Sequence, residues 1–168
     1  MTALRWAANL LGWPILQLGI AFIAIRLPAE LFADDTWLTE PRQWEYGGRI
    51  YRQYLGVRRW KTKLPDGAPW VAGSSGKAVR GRNPECLARF LRETRRAEWA
   101  HWSMLACLPI FFLWNPPWAR GVMAIYALAA NIPCIFAQRY NRLVLNRVLQ
   151  APHSPYQFVR AGKHPDTL

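Results

Sequence analysis

The sequence predicts an all-α integral membrane protein with about three transmembrane helices and amphipathic helices at one interface. Three observations predict it. Apolarity and charge coexist, since 52% of the 168 residues are hydrophobic and ten are tryptophan while the formal net charge is +12. The first apolar run, "WAANLLGWPILQLGIAFIAI" at 6–25, has no formal charge, and roughly 20 such residues carry a helix across a bilayer. The cations fall in two blocks, fourteen Lys and Arg against four acids at 42–96 and five against one at 139–168, and such blocks stay on the cytoplasmic side. The length suits one domain. We read 1–168 as a single membrane domain with spans at about 6–25, 99–114 and 118–138, a basic cytoplasmic interfacial region at 28–98 and a cytoplasmic tail at 139–168.

The elements follow in order. Arg5 precedes the first span, Arg26 at its end can snorkel to the headgroups, and Pro28 stops the helix. A cleaved signal peptide is disfavoured because its apolar core typically has only about 7–15 residues, and "LFA" at 31–33 places leucine where cleavage needs a small residue. Residues 33–41 read as a loop. From 42 to 60, Trp44, Tyr51, Tyr54, Leu55 and Trp60 mix with Arg49, Arg52, Arg58 and Arg59, the composition of a helix lying among lipid headgroups. The Gly, Pro and Ser of 64–85 predict a loop carrying Lys77, Arg80 and Arg82. Its "GSSGK" at 73–77 lacks the spacing of a phosphate-binding loop, and Ala78 stands where Ser or Thr is required.

Pro84 starts a helix expected to continue without a break into the second span, and "NPP" at 115–117 turns the chain into the third. Three crossings put the amino terminus and the 115–118 turn outside and the carboxyl terminus in the cytoplasm, the topology of a multi-pass protein of the cell (inner) membrane. Cys86, Cys107 and Cys134 have no metal-ligand spacing and read as reduced packing residues. The aromatics lie in apolar or interfacial runs instead of on a basic sheet, which argues against nucleic acid as partner.

Polar residues recur where apolar ones are expected. Between Glu98 and Arg139 the only formal charge is Arg120. On a continuous helix Thr94, Glu98, His101 and Leu105 share a face, so Glu98 is placed to hold one imidazole nitrogen of His101 and leave the other for proton transfer. In the third span Asn131 and Gln138 share a face with Arg142 below them, and Arg139 and Asn141 are adjacent. A polar amide inside an apolar run is costly unless paired, and Gln17 in the first span raises the same question. These groups are expected to converge on one buried polar site.

The stretches that carry this pattern are "WPILQLGIAFIAIRLP" (13–28), "YLGVRRWKTKLPDG" (54–67), "ETRRAEWAHW" (93–102) and "ANIPCIFAQRYNR" (130–142). With them the chain resembles the glycosyl-diaponeurosporenoate acyltransferase family, membrane enzymes that add a fatty acyl chain to a carotenoid glucoside. ETxRAExxHW and ANxPxxxxQRYNR are the most specific segments. Positions matching the family pattern are Gln17, Arg26, Trp60, Lys61, Asp66, Gly67, Glu93, Arg96, Glu98, His101, Asn131, Gln138, Arg139, Asn141 and Arg142, whereas 68–86 and the tail after 147 match poorly.

The resemblance implies a membrane-bound O-acyltransferase acting on a hydroxyl of a lipid-soluble, carotenoid glucoside-like acceptor. No cofactor is expected to be bound; acyl-CoA or a similar acyl donor is the cosubstrate, and the lipid membrane is the other partner. Direct transfer needs a base, oxyanion stabilisation and cations for a phosphate-bearing donor. The assignments are His101 as base, Glu98 as its orienting carboxylate, and Asn131 or Arg139 as oxyanion or sugar donor. Gln138, Asn141, Arg142 and Gln17 complete the substrate contacts, and Lys61, Arg95 and Arg96 meet the donor phosphate. No metal site is expected, and the H-x-x-x-x-D pattern of glycerolipid acyltransferases is absent, since Ala106 follows His101 at that spacing. The alternative is a non-enzymatic lipid- or isoprenoid-binding membrane subunit.

Overall fold

Thr2 opens the first helix by accepting the Arg5 amide on its hydroxyl, and α1 runs Ala3–Arg26 before the extended Leu27 and Pro28 end it. The computed structural model describes residues 2–64 and 84–150. Beyond α1 they form the short helices α2 (Arg49–Gln53) and α3 (Val57–Trp60) and the long α4 (Pro84–Ala106) and α5 (Pro117–Leu149), with 3₁₀ turns at Ala29–Phe32, Gln43–Gly48, Lys61–Lys63 and Leu108–Phe112. Among the described residues every regular element is helical. The "GSSGK" loop with Lys77, Arg80 and Arg82 lies outside them, as does the tail beyond 150.

α4 and α5 pack antiparallel, and α1 lies against α4. At the far end, beside the 113–116 turn, Trp13 meets Phe111 at a tilt of 57° with ring centroids 5.0 Å apart, and both pack on the fully buried Ala127. Towards the base, Ala24 meets Ala100 and Met104. Alanine at these contacts lets the helices approach closely, as membrane bundles require. The far end is closed by amides: Asn9 and Asn115 donate to each other at 2.9 and 2.8 Å, the Trp114 indole donates to Asn9 at 2.9 Å, and Asn115 also donates to the Phe111 carbonyl.

Residues 29–64 form a collar around the base. Tyr51 and Val57 pack on Ala137, Tyr140 and Leu143 of α5. The collar turns sharply at Tyr46, Gly47 and Gly48, all with positive φ (45°, 60° and 92°). Gly48 could not carry a side chain without strain, and a Cβ there would stand 3.4 Å from Leu143 Cβ. Tyr46 adopts the same left-handed conformation despite its Cβ.

Two helices, α1 and α5, are long and apolar enough to cross a membrane. Unlike the core helices of a soluble domain, they expose Leu10, Leu11, Ile15, Leu18, Phe22 and Ile23 on one and Val122, Ile125 and Leu128 on the other. Most exposed Trp and Tyr side chains lie at two levels, Trp6 and Trp118 at the far end and Trp37, Trp44, Tyr46 and Tyr54 on the collar, with Tyr126 between them, a distribution of the kind seen at membrane–water boundaries. From Pro117 to Arg139, at about 1.5 Å per residue, α5 rises about 33 Å, close to the roughly 30 Å of a hydrocarbon core.

Three expectations are corrected. The run 99–114 is not one helix: α4 stops at Ala106, and Pro109, which has no amide hydrogen, lies in the 3₁₀ turn Leu108–Phe112. The basic stretch 42–60 is not one interfacial helix, because Gly48 and Gly56 in the left-handed region divide it into a 3₁₀ turn, α2 and α3. The tail expected from 139 begins as helix, since α5 continues to Leu149. Pro28 and Pro84, by contrast, mark helix boundaries as expected, and α4 runs unbroken past Glu98 and His101.

Candidate functional site

Antiparallel packing brings residues 94–101 of α4 against 131–142 of α5, and the collar adds groups from 32–51. At the base Glu98 and Glu45 are completely buried and face Arg139 and Arg142. Arg139 donates through Nε and Nη2 to the two oxygens of Glu45 at 2.7 and 3.0 Å. Its Nη1 reaches Glu98 Oε1 at 2.6 Å and the Leu38 carbonyl at 3.1 Å, and Nη2 also reaches the Glu40 carbonyl at 2.8 Å. A guanidinium has five N–H groups, so Arg139 has none left over.

Arg142 donates from Nη2 to Glu98 Oε2 at 2.5 Å and to the Thr39 carbonyl at 2.6 Å. Asp35 stands 3.6 Å from Arg142 Nε and accepts from Arg95 Nε at 2.7 Å. Three carboxylates therefore oppose three guanidiniums in one chain, Glu45–Arg139–Glu98–Arg142–Asp35–Arg95. Such a set tolerates burial because each charge has an opposite neighbour; carbonyls take the remaining donors of Arg139, whereas Arg142 Nε and Nη1 make no hydrogen bond among the described residues. Tyr51 donates to Glu45 at 2.5 Å, as does the Arg42 amide. Burial alone would raise the Glu45 pKa, but the bonds from Arg139, the Arg42 amide and Tyr51 outweigh it and hold the carboxyl below its ordinary value. Burial and the Glu45 carboxylate push the Tyr51 hydroxyl up.

About 12 Å farther along α5, at about 1.5 Å per residue, stands a second pair. His101 Nδ1 lies 2.9 Å from Asn131 Oδ1, and Asn131 Nδ2 donates to the Ala127 carbonyl at 2.8 Å. Asn131 is completely buried and His101 half-buried. A third pair lies at the collar, where Lys61 donates to Asn141 Oδ1 and its ammonium sits 5.1 Å over the Tyr140 ring. Burial and Arg58 keep the Lys61 pKa below its ordinary value. Arg58, Arg59 and Lys63 beside it are exposed.

The expected site residues thus separate into three groups: Glu98 with Arg139 and Arg142, His101 with Asn131, and Lys61 with Asn141. Glu98 does not orient His101. Its carboxylate faces the two guanidiniums, which offer shorter, charge-assisted bonds than a neutral imidazole, and Asn131 occupies the orienting position instead. Arg139 has no donor for a sugar or an oxyanion. Arg95 is tied to Asp35 and to the Phe32 and Ala33 carbonyls, and Arg96 pairs with Glu93 at 2.6 Å and covers the Phe32 ring. Gln138 and Gln17 are half-buried, and no hydrogen bond among the described residues ties either to the network.

Glu45, Asp35, Tyr51 and Thr39 were not anticipated. Glu45 left one signal, as the lone acid in the basic stretch from 42 to 60. Among the described residues no cluster of three or more His, Cys, Asp or Glu side chains is arranged to hold a metal ion.

Comparison with known proteins places these residues in context. A family model described as "Glycosyl-4,4'-diaponeurosporenoate acyltransferase" matches residues 34–151, which include all three groups. Proteins of that name from Staphylococcus aureus strains USA300, NCTC 8325 / PS 47 and MRSA252 are each 31% identical over 140 residues, covering 82% of this chain and 84% of the relative. No solved structure matches the chain significantly.

Proposed function

The chain belongs to the glycosyl-4,4'-diaponeurosporenoate acyltransferase family, and from that premise we propose that it moves a fatty acyl chain onto a hydroxyl of a glycosylated carotenoid at the membrane. The observation that carries the siting of this chemistry is the His101–Asn131 pair. It is the polar pair of the α4–α5 interface that carries no formal charge, and it stands inside the apolar part of the bundle.

In this reading the bundle crosses the membrane three times, the second crossing made by the end of α4, the 3₁₀ turn and the 113–116 turn. The hydrogen bonds between Asn9 and Asn115 support it, because they hold that turn level with the start of α1. The base, with exposed Arg49, Arg52, Arg58 and Arg59, faces the cytoplasm. The acceptor lies in the lipid with its sugar drawn to His101. The acyl donor, a thioester such as acyl-CoA, arrives from the cytoplasmic side, where Lys61 with Arg58, Arg59 and Lys63 meets its phosphates.

His101 takes the proton of the acceptor hydroxyl as its oxygen attacks the acyl carbonyl. The carbon–sulfur bond breaks, and the departing thiolate receives that proton. Gln138 and Gln17 have amides available for sugar hydroxyls. Glu98, Arg139 and Arg142 serve as the frame that fixes α4 against α5 below the reacting groups.

The test is transfer by the purified protein in lipid, from a fatty acyl thioester to a carotenoid glucoside. A general base contributes about 10²–10⁴-fold, so His101→Ala is expected to lose turnover in that range while its thermal midpoint in detergent stays near that of the unaltered protein. Wild-type turnover by His101→Ala overturns the assignment, and lipid binding without transfer by the unaltered protein favours a binding subunit.

A further inference from the structure

We infer that Asn131 is a positioning residue that holds His101 in the tautomer protonated on Nδ1, leaving Nε2 as the basic nitrogen of the ring. The inference rests on the reading of His101 as the base and adds which of its nitrogens works and what selects it.

The geometry leaves one consistent assignment of hydrogens. The Ala127 carbonyl can only accept, so the Asn131 atom 2.8 Å from it is the amide nitrogen and not the oxygen. The reversed amide would set two acceptor oxygens against each other where both residues are completely buried and water cannot intervene. With Nδ2 fixed on Ala127, Oδ1 faces His101 Nδ1 at 2.9 Å. An amide oxygen cannot donate, so Nδ1–H must, and a neutral imidazole protonated on Nδ1 carries its lone pair on Nε2. The chain of direction runs from the backbone of α5, through one amide, to the reactive nitrogen.

The choice of an amide over a carboxylate has a chemical consequence. Asn131 orients the ring without adding negative charge beside it, whereas a carboxylate would favour the imidazolium, which cannot take a proton. A ring without a fixed partner would share its proton between the two nitrogens, and only part of the protein would present Nε2 ready to accept.

The experiment uses full-length protein in detergent micelles, with histidine ring nitrogens labelled with ¹⁵N and the pH set above the titration of the ring. The sequence has three histidines, and comparison with His101→Gln assigns the signals of His101. We expect its Nδ1 to resonate as protonated and its Nε2 as unprotonated. Nε2 found protonated in active protein overturns the inference while leaving His101 free to act as a base.

Asn131→Leu is expected to lose the Nδ1–H signature and to lower kcat by about a hundredfold or more with KM little changed. Asn131→Asp is isosteric and, as the protonated acid, can donate to the Ala127 carbonyl while its carbonyl oxygen accepts from Nδ1–H, so in that form it is expected to keep the tautomer. An unchanged tautomer in Asn131→Leu removes Asn131 from this role even if transfer falls. Should the leucine variant not fold, the wild-type and aspartate spectra still decide. Conversely, the expected tautomer together with normal transfer by His101→Ala ends the base assignment and leaves the tautomer assignment standing.

Discussion

The two ends of the helical bundle are closed by different chemistry. At the far end Asn9, Asn115 and Trp114 interlock as neutral groups, two amides each donating to and accepting from the other. At the base Glu45, Glu98 and Asp35 interlock with Arg139, Arg142 and Arg95 as ions. Neutral amides tolerate the loss of one member, because what remains unpaired is a dipole. Ions do not, because what remains is a charge in a medium that solvates it poorly. The ionic end gives more directional holding power per contact and depends far more on being complete.

The largest effect that could break this contrast is expected from Glu98→Ala, which removes the carboxylate shared by Arg139 and Arg142. Leaving buried charge uncompensated costs about 3–5 kcal/mol, so thermal unfolding in detergent should show loss of the folded protein or a severely lowered midpoint. A fall no larger than that of a neutral replacement elsewhere in the bundle would mean that water reaches the base and the ions are not held dry.

Asn9→Ala comes next. It leaves the Trp114 indole and part of the Asn115 amide without partners, at about 1–3 kcal/mol for a buried polar group, and the same measurement should rank it below Glu98→Ala. If it equals or exceeds the charged variant, the amide end is the stronger closure.

The smallest effect sharpens the contrast through pH. A carboxyl held below its ordinary value contributes stability that is present above the unfolded pKa and lost as pH falls through the folded pKa. Glu45 should therefore weaken the base only as pH drops below its ordinary value of 4.5. Tyr51→Phe removes one of the bonds that lower it and should move the acid midpoint upward. The cost of Asn9→Ala should not change across the same pH range, since neither amide titrates, and a common pH dependence of both ends would undo the division.

Much of this architecture was legible in the residues. The uncharged run from 6 and the prolines at 28 and 84 set helix boundaries by mechanisms that act locally. That Glu98 and His101 of one helix would face Asn131, Arg139 and Arg142 of the other was legible, but their separation into two groups along the interface was not. Nor was their pairing. Glu98 and His101 share a face, but spacing along one helix cannot say which groups the opposing helix offers, and antiparallel register gave guanidiniums to the carboxylate and an amide to the imidazole. The run 99–114 was misread as one continuous helix because apolarity was continuous while Pro109 changed the helical type. The place of Glu45 was hidden for another reason: it stands out as the lone acid of 42–60, but three consecutive left-handed residues follow it, and a turn of that kind has no periodic signature.

The reach of Glu45 also sets an order of assembly. It meets Arg139 across 94 residues of chain, so at about 5–20 residues per second of synthesis the carboxylate exists for roughly 5–20 seconds before its guanidinium does. Through the first part of that interval the collar has neither α4 nor α5 to pack on, and until Arg139 is made Glu45 is better left in water. The base therefore closes late, a latch that a nascent chain can shut only after α4 and the greater part of α5 have been made.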